Sequence, residues 1–359
     1  MATHNKNLLL IDGSGDYSFS LARCIAMCPE YELHLLCLNT DENLYKLKHI
    51  HYHIIDNYDE DIYFISQIRK ICNEINIELV FAGSETSVEF LIKHQNTLKK
   101  FANLPTLPSI EAFQLANNKA RLVDFMDQHH IPYPKALTLS SGATTEQILN
   151  LTMPVLYKPS DSCGGRGIVK FTDFKSLETE LPNLDTRDGL IQEFIEGNDI
   201  CMSVLCKHGD IVAYTIQTTL IHGIEQYSPA IAVDFVDNSH VYTAVKDLMK
   251  TLKWEGVAHI DLRIDTEKDK VYIIEINPRF WGSLMASLFA GINFAQLYCQ
   301  LNLDEPIGNT KYQLIQHMRP GVYIKYLLKQ LVAVDDIKLS KLNMGIKYRF
   351  PTTIRLFAK

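Results

Sequence analysis

Glu275, Asn277 and Arg279 alternate through the stretch VYIIEINPR, residues 271–279, and Asp261 lies a short way upstream in AHIDLRI, residues 258–264. Positions two apart on an extended chain share a face. A carboxylate beside a carboxamide oxygen is an oxygen-only donor set, which suits a hard divalent cation. The polar run DTEKDK, residues 265–270, separates two apolar runs, so the pattern predicts a hairpin. That hairpin brings Asp261, Glu275 and Asn277 to one site, with the Arg279 charge facing the cation. Pro278 has no backbone donor and ends the second strand. Each residue alone is compatible with an exposed strand end; the four together point to a metal site.

A second constellation lies in the middle of the chain. Residues 154–170 read PVLYKPSDSCGGRGIVK, with Lys158 at the end of one strand and a small-residue loop, 160–167, running into another. Because this loop joins two strands, it is a hairpin flap; a phosphate loop of the Gly-Lys-Ser/Thr kind precedes a helix. Such a flap can close on phosphates with its backbone N–H groups, because glycine lets the chain approach closely. Taken alone, the segment reads as an ordinary glycine hairpin. Cys163, within the flap, reads as one more small residue, since no activating neighbour motif accompanies it. Residues 190–199, LIQEFIEGND, are a strand followed by a bend. Backbone groups around Glu193, Phe194 and Ile195 suit the edge of an adenine, and Asp199 suits ribose hydroxyls. Lys119, alone a surface lysine, opens a helix over 120–129.

The elements that must position these groups follow from hydrophobic patterning. In the first hundred residues, strands at 8–11, 32–38, 52–55 and 79–82 alternate with helices at 17–26 and 62–76, which predicts an open parallel α/β sheet. The turn Gly13-Ser14-Gly15 lacks the third glycine of a dinucleotide fingerprint, where Ser18 stands, so it reads as a tight turn. His49, His51 and His53 alternate without a further ligand nearby and read as a partly satisfied strand face. Prolines 105 and 108 mark a boundary. Strands at 200–206 and 211–218 form an antiparallel pair, and a helix spans 284–289. Trp281 either walls a pocket or packs that helix.

The chain has 359 residues, 47% hydrophobic and 21% charged, with a net charge of −7. That is an ordinary globular composition with room for two or three domains. The acidic balance and the lack of a Lys/Arg run argue against nucleic-acid binding. No apolar stretch reaches the ~18 residues of a membrane span. The start, MATHNKN, lacks the pattern of a signal peptide. Eight cysteines without paired CxxC spacing suit reduced thiols in a cytoplasm. Residues 326–359 mix basic and apolar positions and read as an amphipathic extension packed on the body.

In their order, Lys119, Lys158-Pro159, the 160–167 loop, the segment 193–197 (EFIEG), Asp261 and the segment 275–279 (EINPR) resemble the ATP-grasp superfamily. Within it the chain is similar to the carboxylate–amine ligase and carbamoyl-phosphate-synthase-like branch, over about residues 1–325. The resemblance implies a mixed α/β and α+β architecture: a Rossmann-like pre-ATP-grasp domain over 1–104, then a two-subdomain ATP-grasp fold. Its N-terminal subdomain would span 105–188 and its C-terminal one 189–325, with 326–359 as an extension.

The resemblance further implies that Lys119 and Lys158 contact ATP phosphates and that Ser162, Gly164, Gly165 and Gly167 cover them. Glu193, Phe194 and Ile195 would hold adenine, and Asp199 the ribose, one methylene shorter than the glutamate frequent in the family. Asp261, Glu275 and Asn277 would bind magnesium, with manganese as a substitute, and Arg279 would stabilise the transferring phosphoryl group. The expected activity is an ADP-forming ligation of a carboxylate to an amine, with small-molecule substrates and a homodimer allowed. Two alternatives are a non-catalytic ATP-binding scaffold and a bicarbonate-activating, carboxylase-like enzyme.

Overall fold

The computed structural model describes residues 5–14, 17–38, 49–56, 60–142, 145–160, 165–185, 189–221, 230 and 232–314. The chain opens with β1 (Lys6–Leu10), α1 (Ser18–Ala26), β2 (Tyr31–Cys37), β3 (Ile50–Ile54), α2 (Asp61–Glu74), β4 (Ile77–Phe81) and α3 (Glu85–Leu98). The four strands form a parallel sheet in the order β3-β2-β1-β4. Both sheet faces are covered, which is why β1 reads as an unbroken apolar run rather than an alternation. Leu8 and Leu10 face α1, while Leu9 and Ile11 pack with α2 and α3 residues such as Ile68 and Leu91. The turn after β1 is tight, as its composition predicts. A Cβ on Gly13 would meet Cys37 Sγ at 2.5 Å, so only glycine lets this turn lie against β2.

The alternating histidines form a satisfied strand face. His49 and His51 both reach Glu32, at 2.8 and 3.0 Å, and His34 Nδ1 lies 2.9 Å from His53 Nε2.

Two helices follow, α4 (Ile110–Ala116) and α5 (Lys119–Gln128), each capped by a side chain: Ser109 accepts from Ala112 N–H and Asn118 from Arg121 N–H. A small antiparallel sheet then forms from β5 (Ala136–Thr138), β6 (Val155–Pro159), β7 (Val169–Phe171) and β8 (Gly189–Glu193), in the order β5-β8-β6-β7, with α6 (Thr145–Leu149) and α7 (Phe174–Glu180). Its core, built from residues such as Leu151, Val155, Leu177 and Ile191, is its own.

The largest sheet has the order β11-β10-β9-β12-β13, from β9 (Asn198–Lys207), β10 (Asp210–Ile221), β11 (Ala232–Phe235), β12 (Gly256–Asp265) and β13 (Lys270–Asn277). Helix α8 (Ser239–Leu252) covers one face together with α4 and α5. Helices α9 (Leu284–Phe289) and α10 (Phe294–Asn302) follow β13 and pack against α1.

Strand pairing cuts across the boundary expected at 188/189. β8 pairs with β5 and β6 rather than opening the large sheet, because Leu190 and Ile191 align with Lys158 and Tyr157. The apolar faces of α4 and α5 likewise join the core of the large sheet. Residues 326–359 lie outside the described residues, and no described helix is long and apolar enough to cross a membrane.

Candidate active site

The hairpin expected over 258–277 is β12–β13, and its register sets Asp261 opposite Glu275 and His259 opposite Asn277. The register steps at Asp261/Leu262, where the partner changes from Glu275 to Ile273 and leaves Ile274 as an extra residue. Such a bulge re-aims side chains. Here Val271 and Ile273 before it and Ile276 after it all enter the α8 core, while Glu275 and Asn277 stay together on the opposite face. Asn277 Nδ2 donates to Asp261 Oδ2 at 3.1 Å, and Arg279 Nη2 donates to Asn277 Oδ1 at 3.1 Å. Arg279 is 7% exposed; its guanidinium also pairs with Glu85 and lies 4.1 Å from the Tyr17 ring centroid.

Both lysines converge on this face. Lys119, at the start of α5, places Nζ 3.1 Å from Glu275 Oε2, and its backbone N–H donates to Ser160 O at 3.0 Å. Lys158, at the end of β6, is 5% exposed and donates to Gln192 Oε1 at 2.7 Å. Burial pushes its ammonium down to about 8, against the pull of Glu275 and with a further push from Lys119. The helix α5 and the small sheet thus deliver two cations to carboxylates that the large sheet presents.

Asp261 and Glu275 titrate apart. Burial pushes Glu275 up from the usual carboxylate range, Lys119 pulls it back, and the neighbouring Asp261 charge pushes it further. Burial opposes ionisation of Asp261 too, yet the hydrogen bond and charge of His259 hold it below the usual range. Two half-buried carboxylates set opposite each other repel when both are charged, and a divalent cation removes that repulsion. The carboxylate oxygens of Asp261 and Glu275 therefore fit magnesium, and the Asn277 oxygen, here accepting from Arg279, would complete an oxygen-only set on turning toward them.

Around residues 193–199, Asp199 and Arg263 form an ion pair; Arg263 also donates to Ile195 O and, at 3.0 Å, to Gly197 O. Arg263 and Lys170 both lie against the Phe194 ring, at 4.6 and 3.7 Å. The Glu193 carboxylate accepts from Thr152 N–H at 2.8 Å, and the Phe194 N–H donates to Pro154 O at 2.9 Å. The Glu193 carboxylate, the Phe194 N–H and the Ile195 carbonyl, expected from the sequence to face a nucleobase, thus already have protein partners. Gly165 and Gly167 belong to the described part of the flap, both with positive φ, of 78° and 75°. Ser162, Cys163 and Gly164 lie outside the described residues.

Several partners escape motif reading. Glu85 and Gln192 carry no spacing signal, since each meets its partner across strands or domains, whereas His259 and Arg263 alternate with Asp261 along β12 and share its face. Ser283 hydrogen-bonds both atoms of the Gln217 carboxamide, at 2.9 and 3.1 Å, beside the site. Trp281 is 1% exposed, stacks on His259 and packs edge-on against Phe294, so it belongs to the α9–α10 packing. Its Nε1 finds no acceptor among the described residues.

Residues 116–283 match the family model described as "ATP-grasp domain". The chain carries an ATP-grasp domain. This domain begins just before Lys119 and ends just past Arg279, so it holds every candidate residue named above, but not Glu85. A D-aspartate ligase of Enterococcus faecium is 23% identical over 348 residues, covering 86% of this chain and 80% of the relative. A carbamoyl-phosphate synthase of Methanobrevibacter smithii is 23% identical over 232 residues, 62% of each chain. Among solved structures, an L-amino acid ligase from Bacillus licheniformis superposes with a TM-score of 0.63 at 19% identity, covering 86% of this chain and 78% of that one. The fold likeness thus extends beyond the matched domain to most of the chain.

Proposed function

We propose that this chain is an ATP-dependent ligase that activates a carboxylate as an acyl phosphate and joins it to an amine, with an amino acid among its substrates. The observation that carries the reading is the convergence of Lys119, Lys158, Asp261, Glu275, Asn277 and Arg279 on one face of the large sheet. The nature of the joined molecules is supported by the two relatives whose names are an aspartate ligase and an amino acid ligase.

In this reading Lys119 and Lys158 hold the ATP phosphates, and the flap around Gly165 and Gly167 closes over them. Asp199 and the 193–197 segment hold the nucleoside. Asp261, Glu275 and Asn277 would hold magnesium, which when bound neutralises charge on the β- and γ-phosphates. The substrate carboxylate attacks the γ-phosphorus as the bond to the β-phosphate oxygen breaks, giving ADP and the acyl phosphate. The amine nitrogen then attacks the acyl carbon, phosphate leaves, and the amine proton passes to solvent. Arg279 is held by Glu85 and Asn277 with its guanidinium directed at this region. A positive charge fixed before reaction stabilises the oxygens that gain charge without reorganising.

The test is nucleotide product analysis with an amino-acid library in the presence of magnesium. ADP and phosphate, released only with a particular acid and amine together, are the expected result. AMP and pyrophosphate, or ADP release that depends on bicarbonate alone, would overturn it.

A further inference from the structure

Cys201 and Ser203 on β9 lie opposite Asp261 and His259 on β12, on the same face as the candidate site. Cys201 Sγ is 3.1 Å from Asp261 Oδ1, and His259 Nε2 is 3.4 Å from the same oxygen. One ligand atom from each of the three residues lies within 4.8 Å of the others, and this is the one such group of three among the described residues. We propose that Cys201, His259 and Asp261 form a site for a thiophilic divalent cation of the zinc class.

The geometry suits that ion. Zinc bonds of roughly 2.0–2.3 Å in a tetrahedron put ligand atoms about 3.3–3.6 Å apart. The Cys201–Asp261 and His259–Asp261 separations, 3.1 and 3.4 Å, lie at or near this range. The donor chemistry separates the site from a magnesium site, because a thiolate and an imidazole favour zinc while magnesium favours oxygen alone. Three protein ligands leave a fourth position for water or a substrate group.

The imidazole is also held in a metal-binding pose. His259 Nδ1 lies 2.8 Å from Oγ of Ser203, a residue with 0% exposure. With Nδ1–H donating to Ser203 and the Nε2 proton that bonds Asp261 released to solvent on metal binding, the Nε2 lone pair faces Cys201 and Asp261. Trp281 stacks on the ring, with centroids 5.7 Å apart and planes 19° apart, and fixes its tilt. The Cys201 thiol donates to Asp261 in this structure, and the cation takes the place of that proton, which is released to solvent.

Asp261 belongs to both donor sets. On the ligase reading, and only on it, zinc at this site withdraws Asp261 from magnesium and acts as an inhibitor.

The experiment is a titration of the purified full chain with cadmium chloride, followed through the near-ultraviolet thiolate-to-cadmium absorption, with zinc chloride as competitor. A band saturating at one equivalent, absent in Cys201→Ser and needing at least tenfold more cadmium in His259→Ala and Asp261→Asn, is the expected result. Circular dichroism establishes that each variant is folded. A band unchanged by Cys201→Ser, or no saturable band in the native chain, overturns the site. Excess magnesium chloride raises the half-saturating cadmium concentration if Asp261 serves both ions. A cadmium site indifferent to magnesium would stand while Asp261 left the magnesium set, so the two failures are distinguishable.

Discussion

Arg279, just past the last strand of the large sheet, is paired with Glu85 at the first turn of α3, 194 positions earlier in the chain. The contact crosses from the ATP-grasp domain into the N-terminal sheet domain. The arginine proposed to meet the transferring phosphoryl group is thus aimed by a carboxylate outside that domain. Glu85→Gln keeps a hydrogen-bond acceptor and removes the charge. We expect turnover to fall about tenfold, ~1.4 kcal/mol in the barrier, with magnesium–ATP affinity unchanged. Equal loss of affinity in a nucleotide titration would count against a positioning role.

Glu275→Gln keeps shape and one carbonyl oxygen at the centre of the donor set. Turnover should drop about a hundredfold or more, on the scale of a lost electrostatic group. Nucleotide binding should weaken only when magnesium is present, because contacts at residues 193–199 remain. Isothermal titration with and without magnesium separates the two. A variant with near-native turnover would remove Glu275 from the metal set.

Lys158 supplies a pH signature. Its ammonium sits at about 8 because burial disfavours the charge. A bound phosphate favours the charged form and raises that value, so nucleotide binding takes up a proton at and just above pH 8. ADP titrations without magnesium, at pH 8.5 in buffers of different ionisation enthalpy, should show an uptake that Lys158→Met abolishes. Affinity should also decline as pH rises past 8. Proton release in place of uptake would contradict the assignment.

Gly197 tests the fold. Its φ is 142°, and a Cβ there would meet Ile264 O at 1.9 Å, the backbone of the strand that carries Asp261. Gly197→Ala should cost about 3 kcal/mol, combining backbone strain with displacement of β12. Thermal unfolding read by circular dichroism checks it; a native-like transition would mean the turn relaxes freely.

His34 makes the N-terminal sheet acid-sensitive. Burial, then His51 and His53, push its pKa down to about 4. The unfolded imidazole binds its proton near 6.5 and the folded one near 4, so the stability it confers is present above pH 6.5 and lost as pH falls toward 4. His34→Asn should flatten the stability–pH slope in that window by up to about one proton. Urea melts at pH 7, 6 and 5 measure it.

Much of this was legible in residue order, and the reasons differ by residue. Glu275 and Asn277 share a face because period-2 alternation holds locally, even though the bulge at Ile274 breaks it just upstream. The run LLLI at residues 8–11 announces a strand buried on both faces. The 188/189 boundary could not be read, because composition does not tell which sheet a strand joins; β8 is placed by its register with β6. Glu85 and Gln192 had no signal in spacing, since their partners lie across strands or domains. Cys201 reads as one more scattered cysteine until β9 is laid beside β12.

The packing of α1 against α9 and α10 also sets a timetable. Asn293 Nδ2 donates to Cys24 O at 2.9 Å across 269 positions, and Leu21 and Ile25 share a core with Phe280, Leu284 and Phe294. At ~5–20 residues per second, the first sheet leaves the ribosome on the order of 10–50 s before those partners do. Through that interval α1 has no native cover for its outer apolar side. Nascent chains halted before residue 280 should therefore bind holdase chaperones through α1, and chains released after 302 should not.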